Sequence, residues 1–340
     1  MKFKKIITNT VLCTTVLQVG LMATSVGVLA DTTEQTQKIK DEGWDVPSVA
    51  LGNGLTEQEK TQTLEKLNVK ENEAYNTFVV NGDDLVKYVT DIDSFTSDSK
   101  AYSSAYMVRT KDGSGVNVTI ETPENITSRT EANYRNAAIT SGVYDADIRI
   151  ASVRVMDGSG ALAGIYKIYD EVDPAVDEQE AQERAQNREV AQEESAVVSE
   201  ITKENEENAD FSDDNLAVAL AEIKLELQKI KDELAKMNEE QGREKVRQIV
   251  IEQLNIQGLG EVLSSEQVTS LSNTMYNFSQ APVINNEQIT EQLTTLKDDL
   301  MTNGKDFINN AAEKLNSEET KGFFANIWST IKSFFEGWFN

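Results

Sequence analysis

Residues 102–120 read YSSAYMVRTKDGSGVNVTI. Tyr102, Ser104, Tyr106 and Val108 alternate, as do Val116, Val118 and Ile120, the two-residue period of a half-buried strand. Between the runs, Lys111-Asp112-Gly113-Ser114-Gly115 carries a hairpin turn signal. The stretch predicts two strands and therefore a sheet.

Helical signals surround it. Thr56 and Glu59 form a capping box ahead of Leu64 and Leu67, which predicts a helix over 57–67. Residues 77–80 read as a strand closed by Asn81-Gly82, and 83–89 as a helix. Ser128 and Glu131 form a second capping box, for a helix that stops at Gly142. Residues 147–156 read as a strand, with Ile148, Ile150, Val153 and Val155 breaking step at a bulge near Ser152. Asp157-Gly158-Ser159-Gly160 then opens a helix through Ile168. The order α-β-α-β-β-α-β-α over 44–170 predicts a small α+β domain with a mixed sheet.

After residue 170 the period changes. Residues 170–214 carry 17 acids and three bases, so 171–212 reads as an acidic, partly helical connector. Val190, Val197, Val198 and Ile201 give a helix over 177–204 one apolar face. Leu216, Leu220, Ile223, Leu227, Ile230, Leu234 and Met237 alternate spacings of four and three. That is a coiled-coil seam or the long helix of a bundle, and 216–237 is a candidate surface for homo-oligomers. Gly242 interrupts it, and Val246, Ile249, Val250 and Leu254 continue on a second helix. Ser264 and Gln267 cap a third, ended by Pro282. Asn285 and Gln288 cap a fourth, carrying Ile289, Leu293, Leu296 and Leu300. Residues 213–316 are predicted all-helical.

Both ends carry signals of location. Lys2, Lys4 and Lys5 precede an uncharged run over 6–29, and Val28-Leu29-Ala30 suits cleavage after Ala30, so 1–30 reads as a secretory signal peptide. Residues 31–43 read as disordered. Over 317–340, Phe323, Phe324, Ile327, Trp328, Ile331, Phe334, Phe335, Trp338 and Phe339 share one face of an amphipathic helix. Polar residues interrupt every turn, which argues against a membrane span. The helix can lie in a headgroup plane, dock on its own bundle or another copy, or fill a groove of an envelope protein.

Composition excludes several chemistries. The chain has no histidine and one cysteine, Cys13, inside the export signal. His-dependent nucleophiles, His-ligated zinc and disulfides are therefore absent from the exported chain. With 32 Lys+Arg against 58 Asp+Glu the net charge is −26, which repels nucleic acid. Gly158, Ser159 and Gly160 follow a strand and open a helix, the setting of an anion loop, although a plain tight turn fits them as well. No catalytic residue, cofactor or metal ligand stands out.

Several ordered segments resemble a known family. They are Ala50-Leu51-Gly52-Asn53-Gly54-Leu55-Thr56, Asn125-Ile126-Thr127, 134–143, 159–167, Leu263-Ser264-Ser265-Glu266-Gln267-Val268 and the aromatic tail. Over 44–340 the chain is similar to the YpuA-like family of exported Gram-positive proteins, a domain of unknown function. The resemblance implies an extracytoplasmic, envelope-associated protein and brings no catalytic residues.

Two functions follow. One is a non-catalytic envelope protein with the α+β domain as recognition module and the bundle as spacer. The other starts from the eight of nine tyrosines that lie between Tyr75 and Tyr169. Aromatic platforms suit cell-wall sugars, and carboxylates there could serve a glycosidase or transglycosylase. Half-buried sheet tyrosines explain the same clustering.

Overall fold

The computed structural model describes residues 46–303, Glu71 excepted. The expected signal peptide, the 31–43 segment, residues 304–316 of the helical region and the aromatic helix lie outside the described residues. Strands β1 (Ser48–Gly52), β2 (Asn76–Val80), β3 (Ser104–Arg109), β4 (Asn117–Ile120) and β5 (Ala146–Ala151) form one sheet, ordered β2-β1-β3-β5-β4. β1 runs parallel to β2, and β4 to β5; β1–β3 and β3–β5 are antiparallel. The sheet is mixed and the class is α+β.

The predicted hairpin does not form. β5 inserts between β3 and β4, so Arg149 faces Tyr106 on one side and Thr119 on the other. The 111–115 turn is tied elsewhere: the Gly115 N–H donates to Asp145 Oδ1 at 2.9 Å, beside the start of β5. β1 is a strand that the pattern does not predict, because all five of its residues are buried and nothing alternates. β5 ends at Ala151 where the sequence suggests a bulge. Ser152 Oγ donates to the Arg154 carbonyl and accepts its N–H, which turns the chain.

The helices are α1 (Glu57–Lys66), α2 (Gly82–Tyr88), α3 (Glu131–Ser141), α4 (Ser159–Val172), α5 (Glu178–Asn205), α6 (Asp213–Lys229), α7 (Lys231–Leu234), α8 (Glu239–Ile256), α9 (Ser265–Gln280) and α10 (Glu287–Asn303). The Thr56–Glu59 and Ser264–Gln267 capping boxes form as predicted. α3 is capped instead by Thr130, whose side chain accepts from Asn133 N at 3.1 Å. Glu131 is drawn away to accept the Ile120 N–H at 3.0 Å, which blunts the β4 edge. At the other edge, Lys167 Nζ donates to the Val79 carbonyl. α10 starts from Asn286, one residue past the predicted cap, with its Oδ1 accepting from Gln288 N.

α4 covers one face of the sheet. A Cβ on Gly164 would come within 2.9 Å of the Ala50 side chain, so glycine sets how close the helix lies. α1 covers part of the other face, over Val49, Leu51, Leu55, Leu67 and Tyr106. The acidic segment forms α5, 28 residues long, with Val190, Ala191, Val198 and Ile201 buried against α3 and α9.

The predicted seam breaks at Ile230, between α6 and α7. Leu216, Leu220, Ile223, Leu227 and Leu234 are buried within the chain, where α6 packs on α8 and α10. Ile230 and Met237, the other two residues of the seam, are half-buried. Gly242 interrupts nothing; it lies in the first turn of α8, where the Tyr276 ring approaches it. A single apolar core runs from Ala50 and Ile148 in the sheet through Ile165, Val198 and Leu220 to Leu254 and Leu293. Among the described residues, no helix is long and apolar enough to cross a membrane.

Candidate functional site

Two cavities open at opposite ends of α10. The first, of about 350 Å³, is polar and gathers residues far apart in sequence. Arg109 comes from the end of β3, Tyr144 from the turn after α3, and Tyr169 from α4. Asp173 follows α4; Glu180, Glu183, Arg184 and Asn187 come from α5, and Asn286 and Gln288 from the start of α10.

Local backbone geometry aims the tyrosines. Gly142 ends α3 at φ 100°, and a Cβ there would sit 3.2 Å from Tyr169 Oη, so glycine serves both the turn and the ring. Asp145 follows Tyr144 in the left-handed region at φ 51°. It is held by the Gln292 side chain, which donates to Asp145 Oδ1 at 2.9 Å and accepts the Asp145 N–H at 3.3 Å. These bonds fasten α10 to the sheet and fix the backbone from which Tyr144 projects.

Arg184 organises the other wall. It donates to the Asp173 carbonyl, to Asp173 Oδ2 at 3.2 Å and, through Nε, to Glu180 Oε1 at 2.9 Å. Its guanidinium lies 4.9 Å from the Tyr169 ring centroid, within cation–π range. The Val176 N–H and then the Arg184 side chain hold the Glu180 carboxyl below its ordinary range. Burial pushes the Tyr169 hydroxyl up to about 12, and Arg184 opposes the rise. Burial likewise raises Tyr144, with Tyr169 adding to it. The Tyr144 hydroxyl is buried and has no hydrogen-bond partner. At neutral pH the cavity therefore offers protonated phenols and an ionised Glu180. That set can donate to and accept from a neutral polar ligand, while Glu180 is poorly suited to give up a proton as a general acid.

The second cavity, of about 300 Å³, lies at the other end of α10 against Leu300 and Asn303. Ile120, Pro123, Ile126 and Ala132 give it an apolar lining, and Arg129 and Arg135 enter it from α3 and the turn before it. Arg129 Nη2 holds Asp91 with both carboxylate oxygens, at 2.8 and 2.7 Å. Arg135 Nη1 holds Asp299 at 2.6 Å.

Between the two cavities α3, α5 and α6 are joined by a buried ion pair. Lys224 Nζ donates to Glu194 Oε1 at 2.6 Å and to Thr140 Oγ1 at 2.8 Å, while Thr140 donates to Glu194 Oε2. The two charged side chains are 0% and 1% exposed. Burial lowers the Lys224 pKa and the Glu194 charge opposes that.

The residues singled out by sequence fall elsewhere. Gly158, Ser159 and Gly160 are buried at the start of α4. The Ser159 N–H donates to Asp157 Oδ1 and the Ala161 N–H to Ser103 Oγ. The first N–H of α4 is thus bonded to an internal carboxylate. Phe323, Phe324, Ile327, Trp328, Ile331, Phe334, Phe335, Trp338 and Phe339 lie outside the described residues. The polar cavity itself escaped the sequence. Its one legible sign was the clustering of tyrosines, of which it uses two.

The sequence profile of one family, described as a protein of unknown function (DUF1002), matches residues 51–296. The chain is 30% identical over 294 residues to the uncharacterized protein YpuA of Bacillus subtilis (strain 168), covering 85% of this chain and 89% of that protein. No solved structure matches. The matched span contains every residue named in the polar cavity and ends before Leu300 and Asn303.

Proposed function

The chain belongs to the DUF1002 family of YpuA-like proteins, and on that premise we propose that it is an exported, non-catalytic binding protein of the cell envelope. Its ligand is polar and rich in hydroxyl groups, of the kind offered by cell-wall glycan, and the Tyr144–Tyr169 cavity holds it. Export rests on Lys2, Lys4, Lys5 and the uncharged run that follows them.

The observation that carries the binding site is Tyr144, which lines the cavity and whose hydroxyl is buried without a partner. An unpaired buried hydroxyl costs about 1–3 kcal/mol, which a ligand hydroxyl would relieve. The surrounding Arg, Glu, Asn and Gln side chains supply the convergent polar groups that orient a small ligand. Glu180, held ionised by Val176 and Arg184, is unsuited to serve as the general acid of a glycosidase.

The test is titration of the protein with soluble muropeptide fragments, read by calorimetry and by Tm. The expected result is saturable binding that Tyr144→Phe abolishes while the unliganded variant keeps its fold. New reducing ends appearing in the same mixture would make the protein a glycosidase. Equal binding by Tyr144→Phe would move the ligand away from this cavity.

A further inference from the structure

We propose that the apolar cavity at the C-terminal end of α10 is the docking seat of the chain's own aromatic segment, residues 323–339. The position of the cavity is the first argument. Its wall includes Leu300 and Asn303, in the last described turn of α10. Nineteen residues separate Asn303 from Phe323. A chain of that length spans up to roughly 60 Å when extended, long enough for the segment to return to the wall it leaves.

The lining is the second argument. Ile126, Ala132 and Leu300 are less than a tenth exposed yet border the cavity, and Pro123 and Ile120 extend the apolar surface outward. A cavity of about 300 Å³ is large enough to take an aromatic anchor.

Two buried cations are the third. The Arg129 and Arg135 side chains are 2% and 8% exposed, and the Nε of each has no hydrogen-bond partner. Both arginines line the cavity, which suits an occupant that brings carbonyl acceptors and rings. A peptide segment with carbonyl groups and aromatic side chains brings both, the rings gaining cation–π contact with guanidinium.

Charge separates this occupant from a lipid surface. The cavity is bordered by Glu131, Asp213, Asp214 and Asp299. Residues 323–339 carry Lys332 against Glu336 and are neutral, in a chain whose net charge is −26. The segment is therefore not repelled by this rim, whereas the body as a whole is repelled by anionic lipid.

The experiment uses the full-length protein carrying Trp44→Phe, so that Trp328 and Trp338 alone report. Emission maximum and acrylamide quenching are read in lipid-free buffer. Docking predicts blue-shifted, poorly quenched tryptophans. Ile120→Asp should shift the emission to the red and raise quenching severalfold with circular dichroism unchanged. Pro123→Asp, at an exposed position, provides the same reading should the Ile120 variant fail to fold. Water-exposed tryptophans in the parent protein would overturn the proposal. So would burial that persists in both variants, and burial that requires a higher protein concentration, which would make a second copy the occupant. Burial only after adding phosphatidylglycerol–phosphatidylethanolamine vesicles would make the membrane the occupant and overturn it equally.

Discussion

At its N-terminal end, α10 presents Asn286 and Gln288 to two tyrosines and to arginines and carboxylates of both signs. At its C-terminal end, the same helix lines a second cavity with Leu300, together with Ile126 and Ala132. One end keeps polar groups fixed by Arg184 and Asp145. The other keeps apolar surface, with two arginines whose Nε atoms lack acceptors. On the readings proposed above, oriented polar groups would meet a hydrated ligand at one end and a partly apolar wall would meet the aromatic segment at the other. The family match reaches all of the first end and stops short of Leu300 at the second.

Both ends depend on the frame between them, so the largest effect breaks both at once. Lys224→Met leaves Glu194 charged and sealed, and should cost about 3–5 kcal/mol in urea unfolding. Lys224→Met combined with Glu194→Leu should recover most of that loss. A double variant as unstable as the single one would show that the two charges are not coupled.

Alkaline pH should destabilise the fold, the polar end included. Tyr144 and Tyr169 hold their protons in the folded state above the 10.0 of an unfolded tyrosine. Their contribution is intact below pH 10 and is lost as pH rises, by up to about 1.4 kcal/mol per pH unit for each retained proton. Tyr88, Tyr106, Tyr134 and Tyr166 are raised in the same direction. The difference between the Tm–pH curves of the parent and Tyr144→Phe isolates one hydroxyl of the polar end.

Near neutral pH the same variant should be more stable than the parent by about 1 kcal/mol, since it removes an unpaired buried hydroxyl and no hydrogen bond. A destabilised variant would mean that the hydroxyl has a partner. The smallest effect lies away from both ends. Arg154 hydrogen bonds lower the Glu59 pKa from 4.5 to about 2, helped by the Thr56 backbone. The stabilisation is full above pH 4.5 and lost as pH falls toward 2. Glu59→Gln should flatten that acid limb slightly and leave ligand binding untouched.

How much of this was legible follows the range of each interaction. Thr56–Glu59 and Ser264–Gln267 were readable because a capping box closes within three residues. Ser128–Glu131 fits the same pattern and fails because Ile120, on a neighbouring strand, takes the carboxylate. The 111–115 turn was legible as a turn, but β3 and β4 find their common partner in β5. Lys224 sat unremarked inside an apolar helix, since its partner Glu194 lies 30 residues away. The polar cavity spans Arg109 to Gln288, and no local pattern could assemble it.

Hydrogen–deuterium exchange of the full-length protein, with and without soluble muropeptides, tests the two-ended account most directly. Added ligand should protect 142–145, 180–187 and 286–288, while 120–135 and 299–303 are already protected without it and stay unchanged. Protection confined to 120–135 and 299–303, or none at 142–145 under saturating ligand, would contradict the account.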